Sequence, residues 1–205
     1  MKRTILMLVL MMALPLMAFA GSVDFTNDGG TLSGSNSGMS LTGSEVIAVN
    51  GLPGMGLVTG KLGSLTFSTG ALTSGNIQTG ATFAGGEGSS FTIMGNGSQG
   101  IPSGVIFQGS FSGTVTWTMV TLANGTHNYT LTGSLTGTWY NGTTVNGATI
   151  QLTINTGKGY FNGTTKISSG DTNFSTSTVP EPGSLTLLGT GLVGLAGALQ
   201  RKLRA

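Results

Sequence analysis

Residues 105–140 read VIFQGSFSGTVTWTMVTLANGTHNYTLTGSLTGTWY. Odd positions of the first arm carry Phe107, Gly109, Phe111, Gly113, Val115, Trp117 and Met119, with Gln108, Ser110, Ser112, Thr114, Thr116 and Thr118 between them. The second arm repeats the pattern, with Tyr129, Leu131, Gly133, Leu135, Gly137 and Trp139 alternating with Thr130, Thr132, Ser134, Thr136 and Thr138. A period of two places successive side chains on opposite faces of a strand, so this stretch predicts a long antiparallel hairpin with one apolar face. Cross-strand partners share a face, so odd must pair with odd. A three-residue loop Ala123-Asn124-Gly125, with Gly125 left-handed, gives that parity, whereas a two-residue Asn-Gly turn does not. The resulting register sets Trp117 opposite Leu131, Val115 opposite Gly133, Gly113 opposite Leu135, Phe111 opposite Gly137 and Gly109 opposite Trp139. Aromatic rings then cover opposed glycines, which makes glycine tolerable within a strand. A shift of two residues preserves parity and pairs Phe111 with Trp139 instead.

Outward from the hairpin the same vocabulary continues. Toward the N-terminus, Leu57-Val58-Thr59, Ser64-Leu65-Thr66-Phe67-Ser68, Ala81-Thr82-Phe83 and Phe91-Thr92-Ile93-Met94 are short apolar and hydroxyl runs separated by Gly. Thr, β-branched and aromatic residues suit a pleated, half-buried surface, and Gly and Asn mark turns. Toward the C-terminus, strands are expected at Ala148 to Asn155, with Ile150, Leu152 and Ile154 on one face, and at about Gly159 to Ile167. Asn141-Gly142, Asn146-Gly147 and Asn162-Gly163 read as the turns around them. With no helical stripe and no crossover helices, the expected fold is all-β, an antiparallel β-sandwich or open barrel of short strands. Recurrent Thr-Gly-Ser/Thr-Leu-Thr units, as in residues 131–138, hint at a solenoid, but no fixed period of 20 or more residues supports one. The exported β domain is placed at 21–167, followed by a Ser/Thr spacer at 168–178.

Composition excludes several functions. The 205 residues include 37 Gly and no Cys, and only 7% are charged. The length suits one domain once the terminal apolar segments are set aside. Without Cys there are no disulfides, no thiolate metal ligands and no Cys nucleophile. The formal charge of +2 comes from Lys2, Arg3, Arg201, Lys202 and Arg204 at the chain ends. Between residues 21 and 178, Lys61, Lys158 and Lys166 stand against Asp24, Asp28, Glu45, Glu87 and Asp171, a net of −2. A phosphate backbone requires a basic cluster, and none exists in this middle, so nucleic acid is not a partner.

The chemistry-bearing residues are few. His127 is the only histidine and reads as a polar residue beside the hairpin turn. No Gly-x-Ser-x-Gly elbow supports a serine hydrolase. The five acids are scattered and none lies in the long hairpin, which offers nothing to a paired-carboxylate glycosidase; an enzymatic role requires a pocket where Asp24, Glu45 or Glu87 converge. Asp24 to Gly30 echoes the start of a calcium loop, but its twelfth position is Ser35 where a bidentate Glu belongs. Gly85-Gly86-Glu87-Gly88 lacks the Asp of a calcium β-roll repeat. Both read as turns, and no metal or cofactor is expected. Asn96, Asn124, Asn128, Asn141, Asn162 and Asn173 each begin a glycosylation acceptor pattern, four of them as Asn-Gly turns. Trp117 and Trp139 fall on the apolar face and read as core rather than sugar-stacking platforms.

Both ends of the chain carry addresses. Met1-Lys2-Arg3 is a basic n-region and Ile5 to Leu14 an apolar h-region. Pro15 then breaks the helix, and Ala18-Phe19-Ala20 supplies small residues at the positions a signal peptidase reads, so residues 1–20 are expected to be a signal peptide cut after Ala20. At the other end, Val179-Pro180-Glu181-Pro182 precedes an uncharged run from Gly183 to Gln200 and the basic end Arg201, Lys202 and Arg204. As a helix, residues 183–200 would be about 27 Å long, just enough to cross a hydrocarbon core. The basic residues keep both ends cytoplasmic, so the segment between them is exported.

The combination of Val179-Pro180-Glu181-Pro182, a Gly- and Leu-rich span and Arg201-Lys202-Leu203-Arg204 over the last 27 residues resembles the PEP-CTERM sorting signal of Gram-negative bacteria. The resemblance implies recognition by exosortase, a membrane-embedded protease or transpeptidase with its own catalytic cysteine. It also implies processing near Pro180-Glu181-Pro182 and frequent association with exopolysaccharide and biofilm matrix. Pro180 and Pro182 suit a processing site, because they hold the preceding residues extended and outside the following helix. The expectation is an exported, non-enzymatic surface or matrix protein, anchored transiently in the inner membrane through 183–200 before processing. The alternative is a carbohydrate-binding or adhesive β module, with a calcium-dependent variant.

Overall fold

The computed structural model describes residues 21–176. The expected signal peptide with Ala18 and Ala20, the motif Val179 to Pro182, the expected membrane span 183–200 and the basic residues Arg201, Lys202 and Arg204 lie outside them.

The described residues form thirteen strands and a single 3-10 turn, Ser98–Gly100. In chain order the strands are β1 (Gly21–Asp28), β2 (Thr31–Ser35), β3 (Gly38–Asn50), β4 (Val58–Ser68), β5 (Leu72–Asn76), β6 (Gly80–Phe83) and β7 (Ser90–Asn96). They continue with β8 (Ser103–Phe111), β9 (Val115–Thr121), β10 (His127–Trp139), β11 (Thr144–Asn155), β12 (Thr164–Lys166) and β13 (Ser169–Thr176). The strand order β11-β13-β1-β3-β4-β7-β8-β10 returns to β11 through the β10–β11 pairing. The all-β antiparallel expectation therefore holds, in a more specific form: eight strands close into a barrel, which removes the open edges that a sandwich or open barrel would leave.

The barrel is built twice over. β3 and β10 each have 13 residues, and each shares one edge between two strands. On β3, residues 38–42 pair with β2 and 45–50 with β1; on β10, residues 127–132 pair with β9 and 135–139 with β8. The insertion after β4 supplies β6, which pairs with β9 of the second half. The insertion after β11 supplies β12, which pairs with β2 of the first half. The sequence keeps a trace of this duplication in Leu41-Thr42-Gly43-Ser44 and Leu131-Thr132-Gly133-Ser134. Leu41 and Thr42 pair with Leu32 and Thr31, as Leu131 and Thr132 pair with Trp117 and Thr116. The repeated Thr-Gly units thus mark two interlocked halves, not a solenoid.

An eight-stranded barrel is just wide enough for side chains to fill it. Phe25, Phe67, Phe91, Phe107, Phe111, Trp139 and Phe174 fill this one in a continuous chain of ring contacts, including Phe67–Phe111 at 5.7 Å and Phe91–Phe107 at 6.1 Å between centroids. Each buried ring contributes roughly 2–3 kcal/mol of apolar burial, and the edge-to-face geometries suit the aromatic quadrupole. A second cluster packs Trp117 on Tyr129 at 5.0 Å and on Phe161 at 5.3 Å. Its polar tips are satisfied by backbone: Trp117 Nε1 donates to Ile77 O at 2.8 Å, Tyr129 Oη donates to Gln78 O at 2.6 Å, and Phe161 N donates to Tyr129 Oη at 3.0 Å. Both tryptophans are core, as their positions on the apolar face indicated.

The predicted hairpin is correct at its tip and altered along its length. Gly125 is left-handed with φ 76, Leu122 N donates to Thr126 O at 2.8 Å, and Trp117 pairs with Leu131. The first arm, however, breaks at Ser112-Gly113-Thr114 into β8 and β9. Beyond the break Phe111 faces Leu135, Gly109 faces Gly137 and Phe107 faces Trp139. Gly86 N donates to Phe111 O at 2.6 Å while β9 leaves to pair with β6, and the arm absorbs two extra residues. Glycine still lies under aromatic rings, but diagonally: a Cβ added to Gly133 would sit 2.6 Å from Phe111 Cδ1.

Four further expectations are corrected. Residues 168–178 were expected to be a spacer, yet β13 occupies 169–176 and closes the ring. Its Gly170, Thr172 and Phe174 alternate inward, and Phe174 outweighs the polar composition around it. The strand expected at 159–167 shrinks to β12, because Phe161 folds under β2 and the second aromatic cluster instead of extending. Asn146-Gly147 is a bulge inside β11, where Thr136 faces Asn146 and Leu135 faces Ala148, not a turn. His127 begins β10 and is buried, whereas a polar turn residue was expected.

Candidate functional site

The outward face of the barrel is polar because the alternation that sends rings inward sends Thr, Ser, Asn and Gln outward. This is the reverse of a lipid-facing barrel, whose outward positions form an apolar band. Among the described residues no helix is long and apolar enough to cross a membrane.

Across β9, β10, β11 and β13 the outward residues line up in rows. Thr116, Thr132, Gln151 and Asp171 are successive cross-strand partners, and Thr26 Oγ1 on β1 donates to Asp171 Oδ1 at 2.9 Å. The next row runs Ser134, Thr149, Asn173, and Asn173 Nδ2 donates to Asp24 Oδ1. Thr116 and Thr132 join their hydroxyls. Where β9 peels away from β8 the rows dip into a groove of about 440 Å³, lined by Thr114, Thr116, Thr132, Ser134, Thr149, Gln151, Asp171 and Asn173 over the backbone of Gly133 and Ile150. Hydroxyls and amides that both donate and accept dominate it, and its one carboxylate already holds a hydroxyl. The chemistry suits a neutral, hydroxyl-rich ligand.

The acids singled out in the sequence do not meet there. Asp24 receives the Asn173 amide at the groove's margin. Asp28 ends β1 and accepts Gly29 N at 2.7 Å. Glu45 makes a surface contact with Lys61 at 3.8 Å, and Glu87 sits in the β6–β7 loop. The Asp24–Ser35 stretch is strand, turn and strand, not a calcium loop: Asp24 and Asp28 lie four residues apart along β1, about 13 Å. No group of three or more His, Asp or Glu that could hold a metal occurs among the described residues. His127 stacks on Tyr160 at 4.5 Å between centroids, with Nδ1 3.0 Å from Thr121 Oγ1.

Three of the acceptor asparagines do conformational work. Asn96, Asn124 and Asn141 accept the backbone N–H two residues on, at 2.9, 3.1 and 3.0 Å, which is the side-chain bond that stabilises such turns. The groove itself was not anticipated. Thr116 and Thr132 were visible as polar positions, but their proximity to Asp171 depends on β13 being a strand.

A family model described as the PEP-CTERM protein-sorting motif matches residues 178–202. The match begins two residues after β13 ends. No curated protein and no solved structure matches the chain.

Proposed function

From a sorting motif at 178–202, which implies export, membrane anchoring before processing and exosortase as the processing partner, we propose an exported, non-enzymatic protein of the cell surface or extracellular matrix. Signal peptidase acts at Ala18-Phe19-Ala20, the 183–200 span holds the chain transiently in the inner membrane, and processing occurs near Val179 to Pro182. The observation that carries this reading is the succession of a self-contained barrel and, directly behind its last strand, the matched motif. Pulse-labelling in cells with and without exosortase tests the proposal: a tail that shortens only when exosortase is present is expected, and identical processing in both sinks the exosortase part.

A second reading rests on the groove. Its hydroxyl and amide lining over β9, β10, β11 and β13 favours a carbohydrate-binding or adhesive module acting on exopolysaccharide or biofilm matrix. Retention of the purified protein on the producing cell's own exopolysaccharide, weakened by Gln151→Ala, is expected. Equal elution of both from that matrix and from an inert one overturns it.

A further inference from the structure

One end of the barrel differs from the other. β1 begins there and β13 ends there. The pairs Asp24–Asn50, Val49–Val58, Asn96–Ser103 and Thr138–Thr144 place the loops 51–57, 97–102 and 140–143 at the same end. Residues 50–60, 97–105 and 139–147 contain no Asp, Glu, Lys or Arg. Among them Leu57 is 67% exposed and Tyr140 50%, and Met94 and Val105 form an exposed cross-strand pair just above. The opposite end also exposes Val120 and Tyr160, but it carries Glu87, Lys158 and Lys166 on or beside its loops, so loop charge is what separates the two ends. Apolar side chains left in water at loop tips cost free energy unless something covers them.

We infer that this uncharged rim rests in the surface of the lipid bilayer while the chain is anchored. The inference depends on the proposed reading that 183–200 crosses the membrane. The occupant follows from where the chain ends. Six residues, 177–182, separate β13 from the apolar run, and extended they reach only about 20 Å. A barrel tethered that closely presents the end from which its tether leaves. Leu57 and Met94 supply the apolar area, and Tyr140 has the amphipathic ring favoured at the headgroup level. The charges beside the rim are engaged, Lys61 by Glu45 and Asp24 by Asn173, so attachment draws on apolar burial and not on attraction to anionic headgroups.

The absence of cysteine allows a direct test. Full-length Leu57→Cys and Val120→Cys chains, the second labelled at the opposite end, each carry one environment-sensitive nitrobenzoxadiazole. They are reconstituted into phosphatidylethanolamine–phosphatidylglycerol vesicles containing nitroxide-labelled lipid. The expected result is co-flotation of both, a blue shift at position 57, and quenching there several-fold stronger than at 120, unchanged by salt. Adding Leu57→Ser and Tyr140→Ser to a chain labelled through Val105→Cys should abolish quenching while flotation persists. Co-flotation with equal, weak quenching at 57 and 120 overturns the rim assignment alone. A label at 57 that is shielded but blind to lipid nitroxide means that protein, such as a second copy, covers the rim, and the assignment falls. Failure to co-float overturns the membrane-span reading and the inference with it.

Discussion

Phe174 on the last strand meets Phe107 on β8 with ring centroids 4.7 Å apart and planes at 60°. Through Phe174 the segment that looks most like a linker is bonded into the centre of the barrel, where it also touches Phe25 and Trp139. Phe174→Ala should cost about 3–5 kcal/mol, the usual loss for a large ring removed from a packed core. Chemical denaturation would measure it. Ending the chain after Ile167 should abolish cooperative unfolding, and ending it after Thr176 should preserve it; equal behaviour would show that β13 is dispensable.

Gly133 lies beneath Phe111, so its replacement is a steric test of the split arm. Gly133→Ala should destabilise by about 1–3 kcal/mol through overpacking. Combining it with Phe111→Leu should give less than the sum of the two single losses, because the two sites share one contact. Strict additivity in the double-mutant cycle would refute the diagonal packing.

Asn27 Oδ1 and Thr172 Oγ1 are buried without a partner among the described residues, although Asn27 Nδ2 donates to Ser44 Oγ at 2.8 Å. Thr172→Val removes an unpaired hydroxyl at nearly constant shape and should be neutral or stabilise by about 1 kcal/mol. A loss of more than about 1 kcal/mol in thermal unfolding would mean that the hydroxyl is bonded inside the barrel.

The sorting tail and the barrel should be separable by mutation. Replacing Pro180, Glu181 and Pro182 together with alanine should leave the melting temperature unchanged and leave the precursor unprocessed, as read by mass on immunoblots of membrane fractions. Normal processing of that variant would remove the motif from its assigned role.

Much of the fold was legible because period two is a direct image of the pleat. The 115–121 and 127–132 pairing, the Gly125 turn and the inward row Ile150, Leu152, Ile154 could all be read from alternation. The break at 112–114 was not, since two surplus residues restore the parity on which the reading depends. β13 was hidden by composition: Ser169, Asp171, Asn173 and Ser175 face outward on it, and a single Phe among the inward residues is too faint a signal to outweigh them. The groove was hidden for the same reason, because Asp171 and Asn173 of its polar wall belong to that strand. The twofold construction left only Leu-Thr-Gly-Ser as its trace, since unequal loops and insertions erase any fixed period.

The side-chain bond between Asp24 and Asn173 joins residues 149 apart in sequence, and it lies on the seam where the first strand of the ring meets the last. On the proposed route, in which a signal peptide leads the chain out N-terminus first, the ring has to wait, with its first strand's edge unpaired, until nearly everything has emerged. The strand that ends the wait is followed two residues later by the matched sorting motif. Completion of the barrel and arrival of the processing signal are therefore nearly the same event, and a chain that reaches exosortase is one whose whole ring has already crossed.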